Sequence, residues 1–362
     1  MSRYLLLDVG AGTLDVLYVD EAAGLQYKSV VKSPAPYLAE KAAGRKGNLL
    51  VTGKEMGGGA ISKALIQRAR NARVVMTTAA AATVHHDLDR VQSRGIQVIA
   101  DDEVDGVLGS GEFSCLTLGD LDVNRLRSIV AGFGVPFEFE VVGVCAQDHG
   151  VPPSGMSHLD YRHSIFQAAL NESPCPHALL YDASEVPHTL SRLTAIAESA
   201  QALPAEEVYL MDSGMAAILG ASMDPHARSL ERIVVLDVAT SHTLGASLER
   251  GEIAAFFEYH TCDVTVALLE SLLVELAEGR LTHGEVLEAG GHGAYSRKAI
   301  GFENVEAIVA TGPRRGLLAD SRLPVTYGAP LGDNMLTGTV GLLAAIRRRE
   351  GLDHCGWWQQ HG

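Results

Sequence analysis

One layout occurs twice in this chain, and it constrains the fold more than anything else in the sequence. LLLDVGAGTLDVLYVD at 5–20 and VVLDVATSHTLGASLE at 234–249 each read as apolar strand, aspartate, small-residue turn, then a second strand. Two apolar runs across a short turn of small residues predict a β-hairpin. A repeat of such a unit predicts two related lobes. We place the lobes at 1–230 and 231–350, with a tail at 351–362.

Between the hairpins, strand-like and helix-like segments alternate. NLLVTG, ARVVMTT, IQVIADD, FEFEVVGVCAQ, ALLYDA and EVYLMD read as strands. ISKALIQRARNA, HHDLDRVQSRG, GDLDVNRLRSIVAGFG and SRLTAIAESAQAL read as helices. Such alternation implies βαβ units and mixed or parallel sheets, so the first lobe carries an inserted α/β segment. In the second lobe DVTVALLESLLVELAEGRL is the longest amphipathic helix, VEAIVAT is a strand, and APLGDNMLTGTVGLLAAIRRRE is a closing helix.

The hairpin turn of Gly10, Ala11, Gly12 and Thr13 has no bulky side chain, and its backbone N–H groups can wrap a phosphate. Asp8, ending the preceding strand, can hold a hydrated magnesium ion beside that phosphate. A single turn of this kind is more often a plain hairpin. The copy running from Asp237 through Ser241 to Thr243 makes a two-sided grip on a polyphosphate the stronger reading. GKEMGGGAISKAL at 53–65 lacks the Gly-Lys-Ser/Thr ending of a phosphate loop, and Gly57 to Gly59 read as a strand-to-helix turn.

These residues resemble the sugar-kinase, heat-shock-chaperone and actin superfamily. DVGAGTLD is similar to its first phosphate motif, and DVATSHTLGA stands in the place of the second. MDSGMAAILGASMD (211–224) and GDNMLTGTVGLLAAI (332–346) resemble its two connecting helices. AIVATGPRRG (307–316), with Gly312 and Arg314, resembles the turn that holds the adenosine. The resemblance implies two ribonuclease-H-like lobes around a central cleft that binds Mg-ATP. Ala239 and Ser241 depart from the expected glycines, as do Pro313 and Arg314.

Segments DSGMAAILGA, HTLGA, EYHT, GGHG, TGPRR and GDNMLTG also resemble a family labelled "putative pyruvate formate-lyase activating enzyme". A radical activase of that name needs three clustered cysteines around an iron–sulfur cluster. Cys115, Cys145, Cys175, Cys262 and Cys355 show no such spacing.

Histidines form a second constellation. His149 follows a strong strand, His242 lies in the second turn, His260 follows the strand that turn feeds, and His292 lies in GGHG. Neutral imidazoles bind zinc, iron or manganese, and one near neutral pH can shuttle protons. Any one of them alone is more often an ordinary hydrogen-bonded loop histidine, whereas two or more sharing the cleft favour the functional reading. Asp148 and His149, after the last sheet strand of the first lobe, are candidates to orient an attacking water or hydroxyl. The plain alternative for Asp148 is an Asx turn. Arg314 and Arg315 can clamp an anion or stand in solvent. His85 and His86 read as surface residues.

The formal charge of −15 argues against nucleic acid as a general partner. An odd cysteine number at long gaps fits a reducing compartment. The chain enters a strand without a leader, and no apolar run reaches the length of a membrane helix. The expectation is a cytoplasmic protein whose partners are a nucleotide and a small molecule or protein client. Three functions fit: an ATP-dependent enzyme or ATPase that activates a cofactor-dependent enzyme; a metal-dependent ligase, hydrolase or group transferase in cofactor or small-molecule metabolism; and a nucleotide-switched binding protein.

Overall fold

The computed structural model describes residues 2–352; most of the predicted tail, with Cys355, lies outside them. The strands in chain order are β1 (Arg3–Val9), β2 (Thr13–Asp20), β3 (Leu25–Lys32), β4 (Asn48–Gly53), β5 (Val74–Thr77), β6 (Ile96–Ile99), β7 (Phe113–Leu118) and β8 (Phe139–Ala146). They continue as β9 (Leu180–Asp182), β10 (Ala205–Asp212), β11 (Arg232–Val238), β12 (His242–Glu249), β13 (Glu252–His260), β14 (Gly293–Ser296), β15 (Ala307–Thr311) and β16 (Val325–Tyr327).

They form three sheets. The first runs β3-β2-β1-β8-β10-β9, the second β14-β13-β12-β11-β15-β16, and the third β6-β5-β4-β7. Without their added edge strands β9 and β14, the two large sheets share one topology. Three antiparallel strands, the first of them central, are followed by two more strands parallel to it. This is the ribonuclease-H-like order, present twice. The pairing register repeats too: Asp8 faces Asp15 across the first hairpin, and Asp237 faces Leu244 across the second. The third sheet is all parallel. It is the α/β insertion, lying between β3 and β8.

Two helices join the lobes. Ser213–Ser222 follows β10 and is buried along almost its whole length, and Thr337–Arg349 is buried from Thr337 to Arg347. A helix apolar all round belongs in an interior. They cross at paired glycines: a Cβ on Gly220 would meet the Thr337 carbonyl oxygen at 1.8 Å, and one on Gly341 would meet that of Ala216 at 1.8 Å. One apolar core surrounds this crossing, drawing Leu6, Leu17 and Met211 from the first lobe and Val235, Ala246 and Val309 from the second.

Two expected helices are shorter than their patterns. Within HHDLDRVQSRG only Leu88–Gln92 is helical, because Asp87 caps it by accepting from the Asp89 N–H. The closing helix begins at Thr337, after two 3₁₀ turns. Leu331 there adopts φ +53°, outside any continuous helix.

Candidate functional site

The two hairpin turns are built alike. Gly10 N–H donates to Thr13 O at 3.0 Å, and Ala239 N–H donates to His242 O at 3.1 Å. Each turn is held from behind by the residue after its lobe's third strand. Ser33 donates from its hydroxyl to Gly10 O (2.6 Å) and from its N–H to Gly12 O (3.0 Å). Thr261 does the same to Ala239 O (2.8 Å) and Ser241 O (2.8 Å). With carbonyls occupied from behind, each turn is left with its amide edge for the cleft. The turns face each other closely, since a Cβ on Gly12 would meet the Thr240 side chain at 3.3 Å.

Together they line a cavity of about 320 Å³. Of the predicted residues, Asp8, Gly10, Gly12, Thr13, Asp237, Ser241, His242 and Gly312 are on its wall. Thr243 is fully buried behind it, with its hydroxyl 3.0 Å from that of Thr261. Arg314 is exposed and off the wall, and Arg315 is turned away to bond Gly328 O.

Three carboxylates converge here. Asp8 and Asp15 are opposite neighbours on one face of the hairpin, an arrangement of like charges that costs stability. Burial is the main cause that raises both above the ordinary carboxylate range; Asp8 adds repulsion to Asp15, and Asp237 and Asp212 add it to Asp8, where a hydrogen bond with Cys145 partly offsets the rise. Burial pushes Asp237 up to about 6, although the Thr311 hydroxyl donates to it at 2.8 Å. Asp15 Oδ1 is buried without a partner. A donor set of crowded, desolvated carboxylates suits a divalent cation. Opposite them, Arg162 Nη2 is buried on the same wall without a hydrogen-bond partner, a free donor for an anion.

Sequence reasoning missed Arg162. It lies on the helix His158–Glu172, for which the flanking Gly150, Pro152, Pro153 and Gly155 hid the periodicity. Its Nη1 donates to Asp212 Oδ2 and to Asp148 O, each at 2.7 Å, and its Nε approaches Glu258 Oε2 at 3.4 Å. Asp212 ends β10 of one lobe and Glu258 lies on β13 of the other, so one guanidinium joins the two. Gly57 to Gly59 form the expected strand-to-helix turn, and that turn also lies on the cavity wall. Arg192 lines the wall as well, held bidentately by Asp120 at 2.7 and 3.0 Å.

A second cavity, about 560 Å³, adjoins the first and shares Gly57, Gly58, Gln147, Arg192 and His242 with it. Asp148, His149, His260 and His292 stand on its wall. Both Asp148 carboxylate oxygens accept amide bonds, from Gly150 at 2.8 Å and Leu193 at 2.9 Å. The first is the Asx turn, and burial raises this carboxyl above its ordinary value. Burial, reinforced by Arg162, lowers His149 to about 3, and burial is also the main cause that lowers His242 to about 4. Both rings are neutral at pH 7. His85 and His86 are not surface residues: they are half-buried on this wall, with His86 Nε2 2.9 Å from Glu55 Oε1. Only the fold could show this, because they stand 64 and 63 residues before His149 in the chain.

Fold and cleft define a two-lobed protein of duplicated ribonuclease-H-like domains. The chain belongs to the family described as "Putative pyruvate format-lyase activating enzyme (DUF1786)", whose pattern matches residues 56–317. The donor set for an iron–sulfur cluster does not fit: among the described residues, no cysteine belongs to a close grouping of three or more metal-binding side chains. No curated protein matches the chain. Among solved structures it is similar to a polyphosphate/ATP-glucomannokinase from Arthrobacter (14% identity, covering 97% of this chain and 100% of that one, TM-score 0.36). It is also similar to the Lmo2764 protein of Listeria monocytogenes, described as "a putative N-acetylmannosamine kinase" (10%, 96% and 99%, 0.36). A diol dehydratase-reactivating factor in nucleotide-free form is a third (12%, 96% and 100%, 0.32). At these scores the likeness carries no argument about the site. No helix among the described residues is long and apolar enough to cross a membrane.

Proposed function

We propose that the chain divides near residue 230 into two lobes that bind a magnesium nucleotide between them and act on its terminal phosphate. One observation carries this reading: two turns of the same construction, each buttressed from behind, meet across a cavity lined by crowded carboxylates and an unpaired guanidinium nitrogen. Asp8, with Asp15 beside it, would hold the hydrated magnesium ion, and Asp237 would face it from the other lobe. The turn amides of residues 11–13 and 240–242 would hold phosphate oxygens, those of Gly10 and Ala239 being used to close the turns, with Arg162 Nη2 as a further donor. The bound ion would neutralise the phosphate charge. Gly312 and Asn334, joined by an Asn334 Nδ2 donation to Gly312 O at 3.1 Å, border the end left for the nucleoside. The nucleotide of this reading is ATP, and the family description, which names an activating enzyme, is in line with a role in activating a cofactor-dependent enzyme.

The test is thermal melting with nucleotide. A ligand at about 100 times its Kd stabilises the folded state by about 2.7 kcal/mol. With an unfolding entropy of about 2.1 cal/mol/K per residue, that raises Tm by about 3–4 °C in a chain of 362 residues. Mg-ATP should give this rise, and Asp8→Ala should abolish it. No shift with ATP, ADP or GTP, with or without magnesium, overturns the reading.

A further inference from the structure

Half of the chain's 14 histidines line the second cavity, and three of them converge. His242 and His260 are cross-strand partners at the open end of the β12–β13 hairpin. His292 enters from the loop before β14, and its N–H donates to Glu258 O at 2.8 Å, which docks that loop on the same sheet end. Ring centroids lie 4.8 Å apart for His242 and His260, 4.9 Å for His242 and His292, and 4.1 Å for His260 and His292. One ring nitrogen from each falls within 4.8 Å of the other two. Tetrahedral zinc holds two nitrogens about 3.4 Å apart at bond lengths of about 2.0–2.1 Å. Shifts of less than about 1 Å per ring therefore close the set around one ion.

Two further observations point to a ligand. His242 Nε2 is buried without a hydrogen-bond partner, and buried polar atoms are seldom left so. Glu258, itself buried, places Oε1 3.7 Å from His292 Nδ1. Gln147 Nε2 donates to that same oxygen at 2.6 Å, and Arg162 anchors the other. A carboxylate behind a ligating histidine fixes its tautomer and orientation in metal sites. It leaves His292 Nε2 for the ion.

We propose that His242, His260 and His292 form a mononuclear site for a divalent first-row transition metal, zinc or iron foremost, with its remaining coordination positions open to the second cavity. Three imidazoles without a thiolate suit zinc, iron, cobalt or manganese rather than magnesium. Three protein ligands with an open position are the arrangement of a metal that binds water or a substrate oxygen, whereas structural zinc is closed by four. All three ligands come from the second lobe, so the site is complete without nucleotide and does not rest on the nucleotide reading.

Full-length chain without a histidine tag, stripped by chelator and freed of it, is titrated with cobalt(II) or zinc alone, with no nucleotide present. Cobalt bound to nitrogen shows visible absorption bands, and the bound metal is counted by elemental analysis. The expected result is about one ion per chain, with affinity falling by about 100-fold or more in His260→Ala and in His292→Ala. His260 is exposed at its strand end, so its variant should fold, which its melting curve checks. His163→Ala serves as control. It removes one ring of the separate His163–His283 stack, at 3.7 Å, and should bind metal as the parent does. Less than about a tenth of an ion per chain, or equal binding by the parent and His260→Ala, overturns the proposal.

Discussion

Replacing Arg162 with methionine tests how far one side chain holds the lobes together. The guanidinium is 5% exposed, and its partners Asp212 and Glu258 are 6% and 4% exposed. Methionine keeps much of the volume and the contact with Phe166, over which the guanidinium sits at 4.4 Å. It leaves two buried carboxylates without their cation. Breaking a buried pair by removing one partner costs about 3–5 kcal/mol, chiefly as the uncompensated charge left behind. With an unfolding entropy of about 2.1 cal/mol/K per residue over 362 residues, the expected fall in Tm is about 4–7 °C by calorimetry. The two carboxylates are not equally stranded. Asp212 Oδ1 still caps the helix Ser213–Ser222 through the N–H groups of Gly214 and Met215, at 2.9 and 3.1 Å, and that helix end favours a negative charge. Glu258 keeps only the donation of the neutral Gln147 amide at 2.6 Å, with no helix end beside it, so the larger share of the penalty sits on it. Arg162→Met/Glu258→Gln should therefore recover about half of the lost stability. An Arg162→Met variant within about 1 kcal/mol of the parent would refute the argument, and so would a double variant whose cost is the sum of the two single costs.

Two other perturbations follow. Gly341→Ala puts a methyl group against the Ala216 carbonyl oxygen; because backbone cannot give way as a side chain can, the expected loss in a urea melt is about 3 kcal/mol or more, and a change under about 0.5 kcal/mol contradicts the crossing described. The hydrogen bond from Glu55 raises the pKa of His86 against the opposing effect of burial, so its contribution is complete below the ordinary histidine pKa and is lost as pH rises through the raised one. Glu55→Gln should then destabilise the protein more at about pH 5.5 than at about pH 8.5, and an equal effect at both contradicts the assignment.

The duplicated hairpins were readable because their signal is local: strand period, aspartate and turn lie within 16 residues of one another in each copy. The connecting helices were readable for a similar reason, since a run such as MAAILGA is apolar on every face and can only be interior. The histidine cavity was half readable. His242 and His260 are cross-strand partners that any β12–β13 hairpin brings together. His85 and His86 reach the same wall only through the inserted sheet, and no period in the sequence encodes that. Arg162 was hidden because its meaning lies wholly in partners from other elements, 50 and 96 residues further along the chain.

The second turn departs from the glycines of the first, and the register gives a physical reason. Gly10 matches Ala239, Gly12 matches Ser241, Thr13 matches His242 and Asp15 matches Leu244, because both hairpins close with the same four-residue turn. Side chains on opposite strand neighbours share a face. In the first hairpin that face carries two carboxylates, Asp8 and Asp15; in the second it carries Asp237 alone, with Leu244 packed beside it. Carboxyl groups are thus gathered on the first lobe's side of the cleft. Where the first lobe closes its turn with Thr13, the second closes it with His242, whose cross-strand neighbour is His260 on the wall of the adjoining cavity. A glycine at 242 would leave that wall without one of its three converging rings and would change nothing in the backbone bond that closes the turn, since His242 supplies only its carbonyl oxygen there. The sequence asymmetry between the two copies is therefore an asymmetry of surroundings: of the two turns, the second alone also reaches the histidine-lined cavity.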